Sequence, residues 1–294
     1  MMIDTHAHLN FNAYKDDVDE VVKKTLENDI WMVNVGSQYS TSKRAVEIAE
    51  RYESGVYAAV GIHPIHLDTG LIKVKVDQEE IEFKTREEEF DYEKYKGLAK
   101  SPRVVAIGEI GLDYWYKPKT RIKLEQFKKK QKETFLEQLK LAKELNLPVI
   151  FHCRMAHNDL LQAIKEFDWP ELRGVVHCFT GTWQDAQKYL EMGFYVGFNG
   201  IIFKFNVDEV IKNIPLDKML IETDCPYLTS PISINQFTPL DKLSNGASLH
   251  KSAVLRNEPL YLKYIIEKIA KIKNLSVEEI ENITTQNAKK LFNI

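Results

Sequence analysis

Two histidines one residue apart, His6 and His8, stand at the end of a short apolar run over residues 2–5. If that run is a strand, its side chains alternate with period two, so both imidazoles face one side of the sheet. Asp4 then falls on the same side one step deeper, where it would orient a ligating ring through its second nitrogen. Four further apolar runs finish in the same manner: 104–108 leads into Glu109, 148–151 into His152, 174–176 into His177, and 219–223 into Asp224. A buried strand gains nothing from ending in an ionisable group, because a polar atom at that depth costs free energy unless it is paired or coordinated. One shared partner for His6, His8, Glu109, His152, His177 and Asp224 accounts for all five strand ends. Four imidazoles and two carboxylates exceed what one tetrahedral zinc uses. They suit two divalent cations, with Glu109 as the bridge between the first-strand pair and the His152/His177 pair.

The elements that must position these groups are legible as a rhythm. Apolar, β-rich runs at 2–5, 30–35, 56–61, 104–108, 148–151, 174–176, 195–198 and 219–222 predict eight strands, with segments of helical period between them. Phe135, Leu139 and Ala142 form one apolar stripe in a Lys-rich stretch that Asn146 and Pro148 close, while Thr182 with Asp185 has capping-box spacing and Gly193 ends the helix that follows. Eight alternations of strand and helix are the arithmetic of a TIM (β/α)8 barrel, although an open doubly wound sheet shares the local pattern. Beyond the eighth strand come extra C-terminal helices, with Ile265, Ile269 and Ile272 on one face and a second capping-box spacing at Ser276 and Glu279; these are expected on the barrel exterior. Two segments break the rhythm. Residues 72–86 alternate apolar and charged side chains like a half-solvated hairpin inserted at the rim after the third strand, and residues 228–257 make a long Ser/Pro/Asn-rich loop after the eighth. The reading is one domain over residues 1–294.

Composition sets the limits. The chain has 294 residues, 44% of them hydrophobic, with 40 basic against 43 acidic side chains for a net charge of -3. That excludes a basic nucleic-acid coat and an acidic disordered tail, so a polyanion must be gripped locally. No window approaches a membrane-spanning length of uninterrupted apolar residues, and MMIDTHAHLN lacks the basic-then-apolar order of a signal peptide. Cys153, Cys178 and Cys225 are too few and odd in number for a disulfide framework. A cytoplasmic protein without membrane partners, monomeric, is the expectation. Each cysteine follows a candidate ligand, so alternation turns it away from the metals and toward the helices.

The motifs THAH at the N-terminus, GIHP at 61–64, GEIGLDY at 108–114, HCR at 152–154, HCFTG at 177–181, ETDCPYL at 222–228 and RNEP at 256–259 together resemble the TatD family of metal-dependent deoxyribonucleases, in order and over nearly the whole chain. The resemblance implies a TIM barrel, one metal held by His6, His8, Glu109 and Asp224, and a second on Glu109, His152 and His177. Where wider amidohydrolase relatives bridge with a carboxylated lysine, this sequence presents Glu109.

Two divalent ions against two carboxylates leave a pocket net positive by about two charges, which attracts phosphate without a basic surface. Such ions, whether magnesium, manganese or zinc, make a nucleophile of water near neutral pH and polarise a phosphoryl oxygen. Asp224 is the candidate general base beside Glu109. Arg154 and Lys204 suit phosphate, or serve as ordinary surface cations; His63 touches substrate, or packs in the turn beside Pro64; Tyr114 and Trp115 stack a base, or pack the rim. The leading expectation is a nuclease of the 3'-5' exonuclease kind acting on DNA, single-stranded DNA or RNA included. Hydrolysis of a cyclic amide, lactone or small phosphate ester is the alternative.

Overall fold

The computed structural model describes residues 1–67, 88–115, 117–229 and 256–294. The hairpin expected at 72–86 and nearly all of the 228–257 loop therefore lie outside the described residues. Eight parallel strands hydrogen-bond in sequence order, β1 (Met2–Ala7), β2 (Ile30–Val35), β3 (Val56–Val60), β4 (Val104–Asp113), β5 (Val149–Arg154), β6 (Gly174–Val176), β7 (Tyr195–Phe198) and β8 (Met219–Ile221). The helices between and after them, among the described residues, are α1 (Val18–Glu27), α2 (Tyr39–Ala49), α3 (Tyr92–Ala99), α4 (Arg121–Leu145), α5 (His157–Phe167), α6 (Trp183–Glu191), α7 (Asp208–Asn213), α8 (Leu262–Lys273) and α9 (Val277–Phe292). The seam between last and first strand is bonded just past β8, where Asp224 N donates to His6 O (2.8 Å) and His8 N donates to Cys225 O (2.9 Å). The sheet is thus a TIM barrel and not an open doubly wound sheet.

The local stop signals act as their chemistry demands. Asn146 ends α4 in the left-handed region at φ 52°, and Thr182 and Asp185 cap α6 reciprocally. Leu139 and Ala142 of α4 are fully buried against the strands' outer faces, in a core shared with Met32, Ile107 and Phe151. A second, inner cluster joins Ile3, Val33, Val35, Val105, Ile150, Val175 and Leu220 from inside the barrel with Ala288, Leu291 and Phe292 of α9. This corrects the exterior placement expected for the C-terminal helices: α8 is the eighth barrel helix, but the end of α9 plugs the barrel's N-terminal opening. The reason is that strand residues at that opening are apolar and need a lid, and the last turns of α9 carry the apolar side chains to supply it.

Two strands break their alternation where the site begins. Asp4 and Ala7 of β1 pair with Met32 and Asn34 of β2, three steps of chain against two. Met32 lies in the outer core and Val33 in the inner one, so Asp4 and Ala7 both face outward and the extra residue swings His6 inward with His8. Asp4 therefore does not share the histidines' face, as regular alternation implied. Its carboxylate accepts from Thr223 N (2.9 Å) and Thr223 Oγ1 (2.5 Å), and from the backbone of His6, so it fixes the end of β8 and no imidazole. Burial outweighs these bonds and raises its pKa to about 7. In β4, Ile107 and Ile110 pair with Val149 and Phe151, again three steps against two, which turns Glu109 inward.

Candidate metal centre

Glu109 sits inside β4, not at its end, because β4 and β5 continue together: Gly111 pairs with His152 and Asp113 with Arg154. Only glycine fits at 111, where φ is +150° and a Cβ would lie 2.0 Å from His152 O. Glu109 Oε1 stands 2.6 Å from His152 Nδ1 and 3.1 Å from His177 Nε2, and its Oε2 is 3.5 Å from His6 Nε2. Asp224 Oδ1 is 3.2 Å from His8 Nε2 and 3.8 Å from His6 Nε2. The rings of His6 and His177 stack with centroids 3.8 Å apart. All six expected residues converge at one end of the barrel, and the groupings His6/His8/Glu109, His6/His177/Asp224 and Glu109/His152/His177 each bring their ligand atoms within reach of a common ion.

The tautomers show what the cluster can hold. His8 Nδ1 lies 2.8 Å from Val35 O, and since a carbonyl only accepts, that nitrogen carries the proton. Its Nε2 is then bare in the neutral ring, yet it faces a carboxylate oxygen of Asp224 and, at 3.1 Å, the Nε2 of His6. His177 Nδ1 donates to Glu222 Oε1 at 3.0 Å, which turns its Nε2 toward Glu109. His6 Nδ1 is buried with no partner among the described residues. Ring nitrogens and carboxylate oxygens crowded together in a buried pocket are the complement of a cation, and an imidazole/carboxylate donor set suits zinc, manganese or magnesium.

Electrostatics agree. Burial raises the cost of charge on Glu109, but His177, His63 and His152 outweigh it and hold the carboxyl well below its usual range. Burial likewise opposes charge on His177, and Glu109 and Glu222 overcome it to raise the ring well above the ordinary imidazole value. His6, with burial and then His177 acting against its proton, is lowered. The carboxylates thus stay ionised and draw positive charge to the centre.

A sequence model of a family described as TatD related DNase matches residues 3–293. The chain belongs to the TatD-related DNase family. It is a metal-dependent hydrolase, 38% identical over 299 residues to the uncharacterized metal-dependent hydrolase YabD of Bacillus subtilis (strain 168), with 100% of each chain covered. It is 31% identical to the 3'-5' ssDNA/RNA exonuclease TatD of Pantoea vagans, again over 100% of both. Among solved structures it resembles YjjV, a TatD homologue from Escherichia coli K12, with a TM-score of 0.75 at 27% identity, covering 100% of this chain and 98% of that one. Among the described residues no helix is long and apolar enough to cross a membrane.

Two residues of this TatD-family site went unread in the sequence. Glu222, fully buried, accepts through Oε1 from His177 Nδ1, from Cys178 N (2.7 Å) and from Asn199 Nδ2 (3.3 Å). The signal was present, since an acid closes the apolar run 219–221, but Asp224 two residues on drew the reading instead. Asp113 accepts from His152 Nε2 (3.1 Å), Arg154 Nε (2.8 Å) and Trp115 N (2.9 Å). Burial works against its charge, and His152 and Arg154 lower its pKa regardless. Each of these acids holds the outer nitrogen of one histidine.

The accessory residues divide. His63 is at the centre: Nδ1 accepts from Ile65 N (2.9 Å), so Nε2 carries the proton and stands 3.6 Å from Glu109 Oε1. Arg154 reaches the mouth but is forked onto Asp113, and Lys204 is exposed on the loop after β7. Tyr114 does not offer its ring to a base; it is buried, its hydroxyl donates to Asp159 (3.0 Å), and Lys128 lies over the ring. The reason is strand length: with β4 continuing to Asp113, residue 114 turns back against α4 and α5. Cys153 and Cys225 are buried in the outer core, on the helix side. Of the RNEP motif, Asn257 donates to Thr223 O (3.0 Å) and Tyr227 O (2.6 Å), clasping the turn that carries Asp224 at φ 56°.

Proposed function

We propose that this protein is a divalent-metal-dependent nuclease that hydrolyses phosphodiester bonds of DNA, acting from the 3' end on unpaired strands and on RNA as well, with residues 1–294 serving as one catalytic domain. The observation that carries the reading is the convergence of four buried imidazoles on two ionised carboxylates around Glu109, in groupings close enough to share an ion. His6, His8, Glu109 and Asp224 would hold one ion and Glu109, His152 and His177 a second, magnesium, manganese or zinc. Bound there, divalent ions supply a nucleophile from water near neutral pH and offset charge on the phosphoryl oxygens. Asp224, ionised and on the open side of the cluster, takes the proton of the attacking water. His63, its protonated Nε2 held toward the centre by Ile65 N, donates a hydrogen bond to a phosphate oxygen. Arg154 and Lys204 meet the phosphates that follow. The 3'-5' direction is taken from the relative named as such an exonuclease.

The test is digestion of end-labelled single- and double-stranded DNA by chelated protein resupplied with each metal, beside Glu109→Ala and Asp224→Ala. Cleavage that requires metal and falls at least about a thousandfold in both variants is expected. Full activity in either variant, or turnover of lactones and cyclic amides without cleavage of nucleic acid, would overturn it.

A further inference from the structure

Large apolar side chains left in water are unevenly placed. Among the described residues they are Met1, Trp115, Ile122, Met155, Phe205 and Val277. Trp115 follows β4, Met155 follows β5 and Phe205 follows β7, and Ile122 opens α4, so four of the six sit at the C-terminal end of the barrel, around the metal centre. Exposed apolar groups gathered at one site mark something that covers them in use.

Trp115 is the one with machinery beneath it. The residue is 56% exposed, and its backbone N–H is held by Asp113 Oδ1. The other oxygen of that buried carboxylate takes both the Arg154 guanidinium and His152 Nε2, so a single side chain ties the indole to a metal-centre histidine. Arg154 lies over the indole, its guanidinium carbon 5.8 Å from the ring centroid. A flat aromatic surface backed by a fixed cation, two hydrogen bonds from the reacting end of the site, matches one ligand chemistry: a flat π-system carried on a phosphate chain. Lys204 and Phe205, adjacent in the chain after β7, are a second exposed cation and aromatic. A paired duplex keeps its bases stacked on one another and has no face to offer, whereas an unpaired strand does.

We propose that Trp115 is a base-stacking platform for the unpaired nucleotide next to the scissile phosphate, and that it sets the preference of this site for strands with free bases. This rests on the nuclease reading above. The experiment compares a single-stranded oligodeoxyadenylate with an abasic tetrahydrofuran strand of equal length and charge. Binding is measured by fluorescence anisotropy in chelator, and cleavage is measured with metal. Wild-type protein should prefer the adenylate strand by about tenfold or more in affinity, the range of one base–aromatic stack. Trp115→Ala should erase that preference chiefly through KM, and Trp115→Phe should keep part of it. Trp115 is exposed, so both variants should melt like wild type. If wild-type protein cleaves the adenylate strand but Trp115→Ala keeps the full preference, the platform is refuted and the nuclease reading stands. If wild-type protein with metal cleaves neither strand, the nuclease reading itself has failed and the platform with it.

Discussion

Glu222 offers the sharpest way to separate a side chain that merely fills space from one that sets a ligand's chemistry. Its Oε1 receives three donors, and one of them, His177 Nδ1–H, decides which nitrogen of that ring faces Glu109. Glu222→Ala removes the acceptor from all three at once. An orphaned buried donor costs about 1–3 kcal/mol, so even with water entering the space the fold should lose about 3–5 kcal/mol. His177 would then be free to exchange tautomers or rotate, and loss of such an orienting carboxylate typically lowers metal affinity about 10- to 100-fold, or about 1.4–2.8 kcal/mol. Glu222→Gln is the control. Its carbonyl oxygen can replace Oε1, and its amide nitrogen must take the place of Oε2, where the missing side chain of Gly197 leaves room: a Cβ there would stand 2.7 Å from Oε2. Gln should therefore keep most of the stability and bind metal only a few-fold more weakly than wild type. Urea unfolding of the chelated proteins gives the first quantity, and calorimetric titration with zinc or manganese gives the second. If folded Glu222→Ala binds metal as tightly as wild type, the tautomer argument is wrong.

Three further outcomes follow from features away from that carboxylate. His66 is nine-tenths buried with Nδ1 unpartnered among the described residues, and burial lowers its pKa to about 4 against about 6.5 in the unfolded chain. Below pH 6.5 the unfolded state binds a proton that the folded state refuses. This contribution is complete above pH 6.5 and is lost as pH falls toward 4, worth about 2 kcal/mol between pH 7 and 5. His66→Leu should flatten the urea stability profile over that interval by about this amount, and an unchanged profile would contradict the assignment. Gly111→Ala must displace His152 O and adopt a forbidden φ, so it should cost about 3 kcal/mol or more and disturb the β4–β5 register that carries Glu109 and His152; a normally stable, metal-binding variant would rule this out. Phe292→Ala, at the foot of α9, should cost about 3 kcal/mol with metal affinity unaltered, because it opens the end of the barrel opposite the site. Equal loss of metal binding would show that the plug and the centre are coupled.

What could be read from the sequence was whatever a strand states along its own length. The runs at 30–35, 174–176 and 195–198 are the strands β2, β6 and β7 to the residue, because an apolar run bounded by turn residues carries its own limits. His6, His8, Glu109, His152, His177 and Asp224 stood out for the same reason: each interrupts a pattern that burial should have kept apolar. What escaped were relations between neighbouring strands. The extra residue in β1 depends on how Asp4 and Ala7 register against Met32 and Asn34, and nothing in the letters 4–7 records it. Asp113 lies beyond the apolar run 104–108, and only the pairing of β4 with β5 as far as Arg154 keeps it in a strand beside the site.

The same distinction explains why the site is built where it is. A regular strand presents alternate residues inward, so consecutive inward positions lie two residues apart along the chain. Below the mouth those positions hold Ile3, Val105 and Ile150, apolar side chains that fill the barrel. To place His6 and Glu109 beside each other above that plug, β1 and β4 each insert one residue against a neighbour that keeps its step, β2 and β5 respectively. The two irregularities thus bring a nitrogen of β1 to 3.5 Å from an oxygen of β4 across the barrel, a separation no hydrogen-bond ladder imposes, since those strands are not neighbours. Backbone pairing stabilises the cylinder, and its local failures position the ligands. A substitution that restored regular register in either strand would therefore strengthen the sheet while dispersing the centre, which is why stability and metal binding should respond in opposite directions to changes in residues 4–7 and 107–110.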